Sequence, residues 1–218
     1  MTDPTARPPA SASDTDDTPD DDDRPTLFWY RYRKGDGWRA DMPAGPPGEE
    51  LAALRSGLGT EAGSAPKMWP YYTSRTDGRL TPRLIAEHSA LALYGLHQQS
   101  QSAPMHQRGV GLGHALHALR LRDRYSSDAL DRRVANTVES NGLSPLLYRL
   151  RMLIPNLRSA AQPLDYDQLM KDLVDWQQAD KRQLVRRTWG LAYYVWGPQA
   201  EVAKNAKNRA TPEAPAPA

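Results

Sequence analysis

From Leu51 onward the apolar residues recur three and four positions apart, in runs opened by Pro, Ser, Thr or Asp and closed by Gly or Asn. No stretch keeps a period of two for long. That spacing lines one side of a 3.6-residue helix and cannot line one face of a strand, so it predicts an all-α protein. PPGEELAALRSGL starts on Pro, carries two glutamates in its first turn and aligns Leu51, Leu54 and Leu58. In TPRLIAEHSALALYGLHQQSQ, Thr81 can cap and Pro82 fits the first helical position, with a core face through Ile85, His88 or Ser89, Ala92 and Leu96. RGVGLGHALHALR opens a helix with Leu112, Leu116 and Leu119 aligned. SSDALDRRVANTVESNG aligns Leu130, Val134 and Val138 and stops at Asn-Gly. SPLLYRLRMLIPNLRSA starts at Ser144 and Pro145 with a stripe of Leu147, Leu150, Ile154 and Leu157, and Pro155 is expected to kink the helix or end it by Ile154. PLDYDQLMKDLVDW offers Asp165 as cap with Gln168 three later and aligns Leu169, Leu173 and Trp176. KRQLVRRTWGLAYYVW finishes with Leu184, Thr188, Leu191 and Val195 on one face. LFWYRYRKGDGW alone stays open between a helical turn or two and a strand.

The expected architecture is a helical bundle in two small lobes, residues 25–123 and 124–199, with tails at 1–24 and 200–218. Both tails are low-complexity and too polar to offset the entropy of ordering, so both are expected to be disordered. Residues 1–24 hold eight aspartates and two arginines, a charge of −6, so the net +2 of the 218-residue chain leaves +8 on the remainder. Of 28 basic residues 22 are arginine, whose planar fork suits phosphate and whose charge does not titrate away. The absence of cysteine excludes disulfides, thiolate metal sites and cysteine nucleophiles. No apolar run approaches the roughly 20 residues of a bilayer span, and the first residues lack the pattern of a signal peptide, so a cytoplasmic protein without membrane contact is expected.

Candidate chemistry is sparse. GVGLGHA neither follows a buried strand nor ends in Gly-Lys-Ser/Thr, so it is no nucleotide loop; a linker leading into a helix and a backbone contact to phosphate both stay open. His114 and His117 are spaced i, i+3, but no carboxylate completes a metal set beside them, and no metal or other cofactor is expected. Asp165, Asp167, Asp172 and Asp175 sit around a cap and the outward face of one helix, which reads as structural, and no catalytic set is expected. The basic residues differ because they recur off the apolar stripes. Between residues 105 and 200 there are fourteen of them against nine acidic ones. A row of arginines along helices can track a phosphate backbone without reading bases; the competing reading is a solvated face laced with ion pairs such as Asp128 with Arg132.

GVGLGHALHAL, DALDRRV, LLYRLRML and PLDYDQLMKDLVDW, in this order and with WPYY and TPR upstream, resemble the CasB family, the small subunit of the type I-E CRISPR-associated Cascade complex. The resemblance spans residues 68 to 190. It implies an all-α, non-catalytic subunit that contacts guide-RNA-bearing backbone subunits, the large subunit, crRNA, target DNA, the displaced strand and a second copy of itself, stabilising the R-loop electrostatically. Since R-loop formation is a near-balanced exchange of base pairs, phosphate contacts can tip it. Carried over by position, the family's basic surface falls on Arg83, Arg133 with Arg132 beside it, Arg151, Lys171, Lys181 and Arg182; Arg108 and Arg120 complete the expected nucleic-acid-binding set. His114 stands where the family often has Arg or Lys, so that contact is expected to be weaker or pH-dependent. In the resembled family the glycine stretch is a connection into a helix, leaving a phosphate contact to Arg108. The aspartate tail and the Pro/Gly-rich insert at 40–66 are departures from the family. The alternative class is a stand-alone helical DNA- or RNA-binding regulator, which would prefer particular duplex sequences.

Overall fold

The computed structural model describes residues 26–122 and 126–194. The two expected tails and the expected lobe boundary at 124 lie outside the described residues, as does Val195. Among the described residues, seven α-helices follow a short N-terminal ribbon: β1 (Arg33–Lys34), β2 (Gly37–Trp38), α1 (Gly48–Arg55), α2 (Pro82–Gln98), α3 (Leu112–Arg120), α4 (Ser127–Val138), α5 (Leu143–Ser159), α6 (Tyr166–Trp176) and α7 (Ala179–Tyr194). The aromatic segment is both of the things its sequence allowed: Phe28–Tyr30 forms a 3₁₀ turn, and β1 and β2 pair antiparallel, Arg33 opposite Trp38. None of the described helices is long and apolar enough to cross a membrane.

Helix starts follow the sequence signals. Thr81, Ser126 and Asp165 accept from the backbone N–H of Leu84, Ala129 and Gln168, satisfying donors the first turn cannot. α2 is the central element, packed on α1, α5 and α6 and buried on nearly every side: Leu84, Ala86, Leu91 and Tyr94 are enclosed along with His88, Ser89 and Ala92, while Ile85 and Leu96 of the expected face are only half-buried. The buried apolar side chains before and after residue 124 form one continuous cluster, from Phe28 to Tyr193.

Three sequence expectations need correction. Of the two outcomes expected at Pro155, the end by Ile154 does not occur: α5 runs through Pro155 to Ser159. A mid-helix proline costs about 3 kcal/mol, whereas Ile154 and Leu157 flanking it are fully buried and contribute roughly 1.5–3 kcal/mol each. The core face of α7 is turned by one residue: Val185, Trp189 and Tyr193 are buried while Leu184 and Leu191 are each 55% exposed. Trp189 stacks on Trp176 at 5.2 Å, and two aromatic rings bury more area than the two leucines would. Asp172 faces inward, accepting from Trp189 Nε1 at 2.6 Å and Gln168 Nε2 at 2.8 Å.

Candidate nucleic-acid interface

The C-terminal end of α4 gathers arginines. Helix-end carbonyls lack intrahelical donors and carry partial negative charge, so cations settle there. Arg186 donates to the Ser140 carbonyl at 2.8 Å and to Asn141 Oδ1 at 3.0 Å, with its guanidinium over the Trp176 ring. Arg182 donates to the carbonyls of Asn141 (2.7 Å) and Trp176 (2.9 Å), and Arg149 reaches the Ser140 hydroxyl at 3.2 Å. These bonds are to neutral groups, so the three charges stay uncancelled while their positions are fixed. Arg133 lines a groove between α4 and α5 together with Arg149, Asn136 and Asn156. Arg132 and Arg133 are exposed and form no ion pair among the described residues; the Asp128–Arg132 pair of the competing reading is not made.

Arg151 lies elsewhere. Two residues on a helix are separated by about 200°, so Arg151 faces away from Arg149. It borders a second groove, formed with α2 and the 57–62 loop. Arg158 and Arg55 continue that side, donating to the carbonyls of Leu96 (3.3 Å) and Gly95 (3.4 Å). Arg149, Arg158 and Arg186 are among the basic residues that recur off the apolar stripes, although the expected nucleic-acid-binding set does not include them, and Arg55 is in neither group. Only the neighbouring turns show where each head goes.

The remaining expected residues divide by partner. Arg120 makes a two-pronged pair with Asp131 (2.9 and 3.3 Å), and Asp131 also accepts from Tyr193, so its carboxyl is held below the usual range chiefly by the Arg120 hydrogen bond. Arg108 donates to the Tyr30 hydroxyl at 2.6 Å and lies 3.6 Å from Asp167, while Lys181 lies 3.6 Å from Asp175. Arg83 and Lys171 are exposed and form no ion pair among the described residues. The structure therefore brings Arg133 and Arg182 to the α4–α5 side, sets Arg151 apart, and engages Arg108, Arg120 and Lys181 with carboxylates.

The glycine stretch is a packing device. A Cβ at Gly113 would stand 2.4 Å from the Trp189 carbonyl oxygen and 2.7 Å from Ala192 Cβ, so α3 and α7 approach only because it is absent. Gly109, at φ +82°, turns the chain so that its N–H reaches Asp165 Oδ2 at 2.7 Å. The small cavity beside the stretch, about 250 Å³, is lined by Asp165 and Asp172 as well as His114, and two acids make it hostile to phosphate. Burial holds the His114 pKa below its ordinary value, with His117 adding to the effect. His117 itself turns away to donate from Nδ1 to the Tyr193 carbonyl at 2.7 Å.

One trio could in principle hold a metal: His106, Asp165 and Asp167 place a ligand atom each within 4.8 Å of one another. The His106 ring has no lone pair left to give, and each carboxylate oxygen already accepts a hydrogen bond. His106 Nδ1 accepts from the Tyr166 N–H at 3.1 Å, which puts the ring proton on Nε2, 2.9 Å from the Tyr30 hydroxyl. Asp165 accepts from Gly109 and Gln168, and Asp167 from Trp29 Nε1 (2.8 Å) and the Tyr30 hydroxyl. Desolvation pushes the His106 pKa down, in keeping with a neutral ring. The trio ties the Phe28–Tyr30 turn to the start of α6; its donor set does not fit a metal.

Fold and surface together define a helical protein whose outward chemistry is cationic and whose buried carboxylates and histidines hold its elements together through hydrogen bonds. A sequence profile of the CRISPR-associated protein Cse2 family matches residues 50–194, and the chain belongs to that family. Among solved structures, CasB from Thermobifida fusca is 30% identical with a TM-score of 0.56, covering 68% of this chain and 85% of its own. CasB from Thermus thermophilus is 24% identical, TM-score 0.52, over 67% and 85%. A chain of a CRISPR RNA-guided surveillance complex is 22% identical, TM-score 0.56, over 77% and 91%, and shares the fold. No curated protein sequence matches this one.

Proposed function

We propose that this chain is the non-catalytic small subunit of a type I-E CRISPR RNA-guided surveillance complex. It stabilises the R-loop by holding DNA phosphates on arginines without reading sequence. In this role it is a cytoplasmic protein that lies against the guide-RNA-bearing backbone subunits, the large subunit and a second copy of itself. It meets crRNA, target DNA and the displaced strand. Membership of the Cse2 family supports the assignment. The observation that carries the mechanism is the state of the cations: Arg83, Arg132, Arg133, Arg151, Lys171 and Arg187 make no ion pair among the described residues, while Arg149, Arg182 and Arg186 are fixed by neutral acceptors. Charges left uncancelled on rigid helices release counterions when a polyanion binds.

The test is charge reversal at Arg132 and Arg133 in the assembled complex, read as affinity for target DNA against salt. Each phosphate contact removed should flatten the slope of log K against log salt by about 0.9 on duplex DNA or about 0.7 on a single strand. An unchanged slope would remove this face from the interface. A preference for one duplex sequence in the isolated chain would point instead to a regulator.

A further inference from the structure

We propose that the groove between α2, α5 and the 57–63 loop takes an unpaired nucleobase, stacked on the Tyr148 ring with an adjoining phosphate on Arg151. This rests on the nucleic-acid reading above and names the form of strand that one surface accepts. The cavity measures about 570 Å³, within the range of sites for small ligands. Its floor is Ile85, Ser89 and Ala92, one wall is Leu147, Tyr148 and Arg151 of α5, and the other is the loop.

The loop is held rigidly, so the groove exists before anything binds. His88, buried on α2, donates from Nε2 to the Gly57 carbonyl at 3.0 Å while its Nδ1 accepts from the Tyr72 hydroxyl at 2.7 Å. Trp69 Nε1 donates to the Gly63 carbonyl at 2.8 Å. On α5, Tyr148 and Arg151 are i, i+3 neighbours and share a face. Tyr148 is 68% exposed and, with Met152 at 59%, is one of two large apolar side chains that α5 leaves open to solvent; of the two, only Tyr148 lines the groove. Arg151 stands at the loop, its Nη1 3.4 Å from where a Cβ on Gly59 would be. Arg151 is the one guanidinium in the lining and so the group a phosphate would meet; Glu61 is the one acidic side chain there. Arg158, seven residues on and about 10 Å further along the same face, and Arg55 beside it extend the positive edge.

A ring next to a row of cations is what a single strand can use and a duplex cannot, because base pairs keep their faces covered. An apolar protein segment is the rival occupant. The continuous cationic edge favours the strand, since the cores of protein interfaces are depleted in charge.

The experiment compares the full chain with Tyr148→Ala and Tyr148→Phe for binding to a fluorescent oligothymidine and to a duplex of equal length at one salt concentration. Loss of a stacked base should weaken single-strand binding by about 5- to 150-fold in Tyr148→Ala. Tyr148→Phe should retain it, and duplex affinity should not move. Equal weakening on both probes, or none on either, overturns the proposal. So does a Tyr148→Ala change confined to oligomeric state by light scattering, which would assign the groove to a protein partner. If the unaltered chain binds neither probe, the nucleic-acid reading falls and this one with it; if it binds the single strand and Tyr148→Ala binds equally, only this one falls.

Discussion

Asp172 shows what burial does to one carboxyl. It is almost enclosed, and desolvation raises its pKa to about 6 against the partial relief of hydrogen bonds from Gln168 and Trp189. The unfolded chain releases that proton near pH 4, so between pH 4 and 6 the folded state binds more protons than the unfolded one and stability falls as pH rises. The full effect is on the order of 3 kcal/mol. Asp172→Asn keeps an acceptor for the Trp189 N–H, and the Gln168 amide can turn to meet the new NH₂. Its thermal midpoint should exceed that of the unaltered protein at pH 7.5, with the gap closing toward pH 4; a gap constant across that range would refute the cause. Gly113 is the opposite case, a residue that acts by lacking atoms. Gly113→Ala should cost about 1–3 kcal/mol through forced separation of α3 and α7, measured as a lower denaturant midpoint.

For the elements, α7 is the informative one. Its leucines and its aromatics lie on neighbouring faces, and spacing alone fits either face to the core. Packing decides, because Trp176 and Asp172 of α6 offer Trp189 both a ring to stack on and an acceptor, which no leucine could use. Leu184→Gln and Leu191→Gln should therefore each change unfolding free energy by no more than about 0.5 kcal/mol. Trp189→Ala should cost about 3–5 kcal/mol, and urea titration distinguishes the two. The caps at Thr81, Ser126 and Asp165 were legible because capping is local: a side chain bonds a backbone group two or three residues away. Pro155 misleads for the complementary reason, since the cost of a proline is local and the burial that outweighs it is not.

At the scale of the molecule the charge is divided between segments. Deleting residues 1–24 takes the chain from +2 to +8, and affinity for any polyanion should rise at low salt with the difference fading above a few tenths molar, where the Debye length falls toward 3–5 Å; fluorescence anisotropy at two salt concentrations checks it. The sequence by itself determined the helical class, the positions of most helices, the excess of arginine and the family resemblance, because periodicity, capping and composition are properties of short windows. It could also say that the cations lie off the apolar stripes. Only the tertiary structure decided which of them remain free to act. Whether an arginine meets a carboxylate, as Arg120 does at Asp131, or a neutral helix end, as Arg186 does, depends on a residue distant in sequence. Likewise Arg133 and Arg151 face different grooves because α5 passes between them, a matter of helix packing that spacing along the chain does not contain.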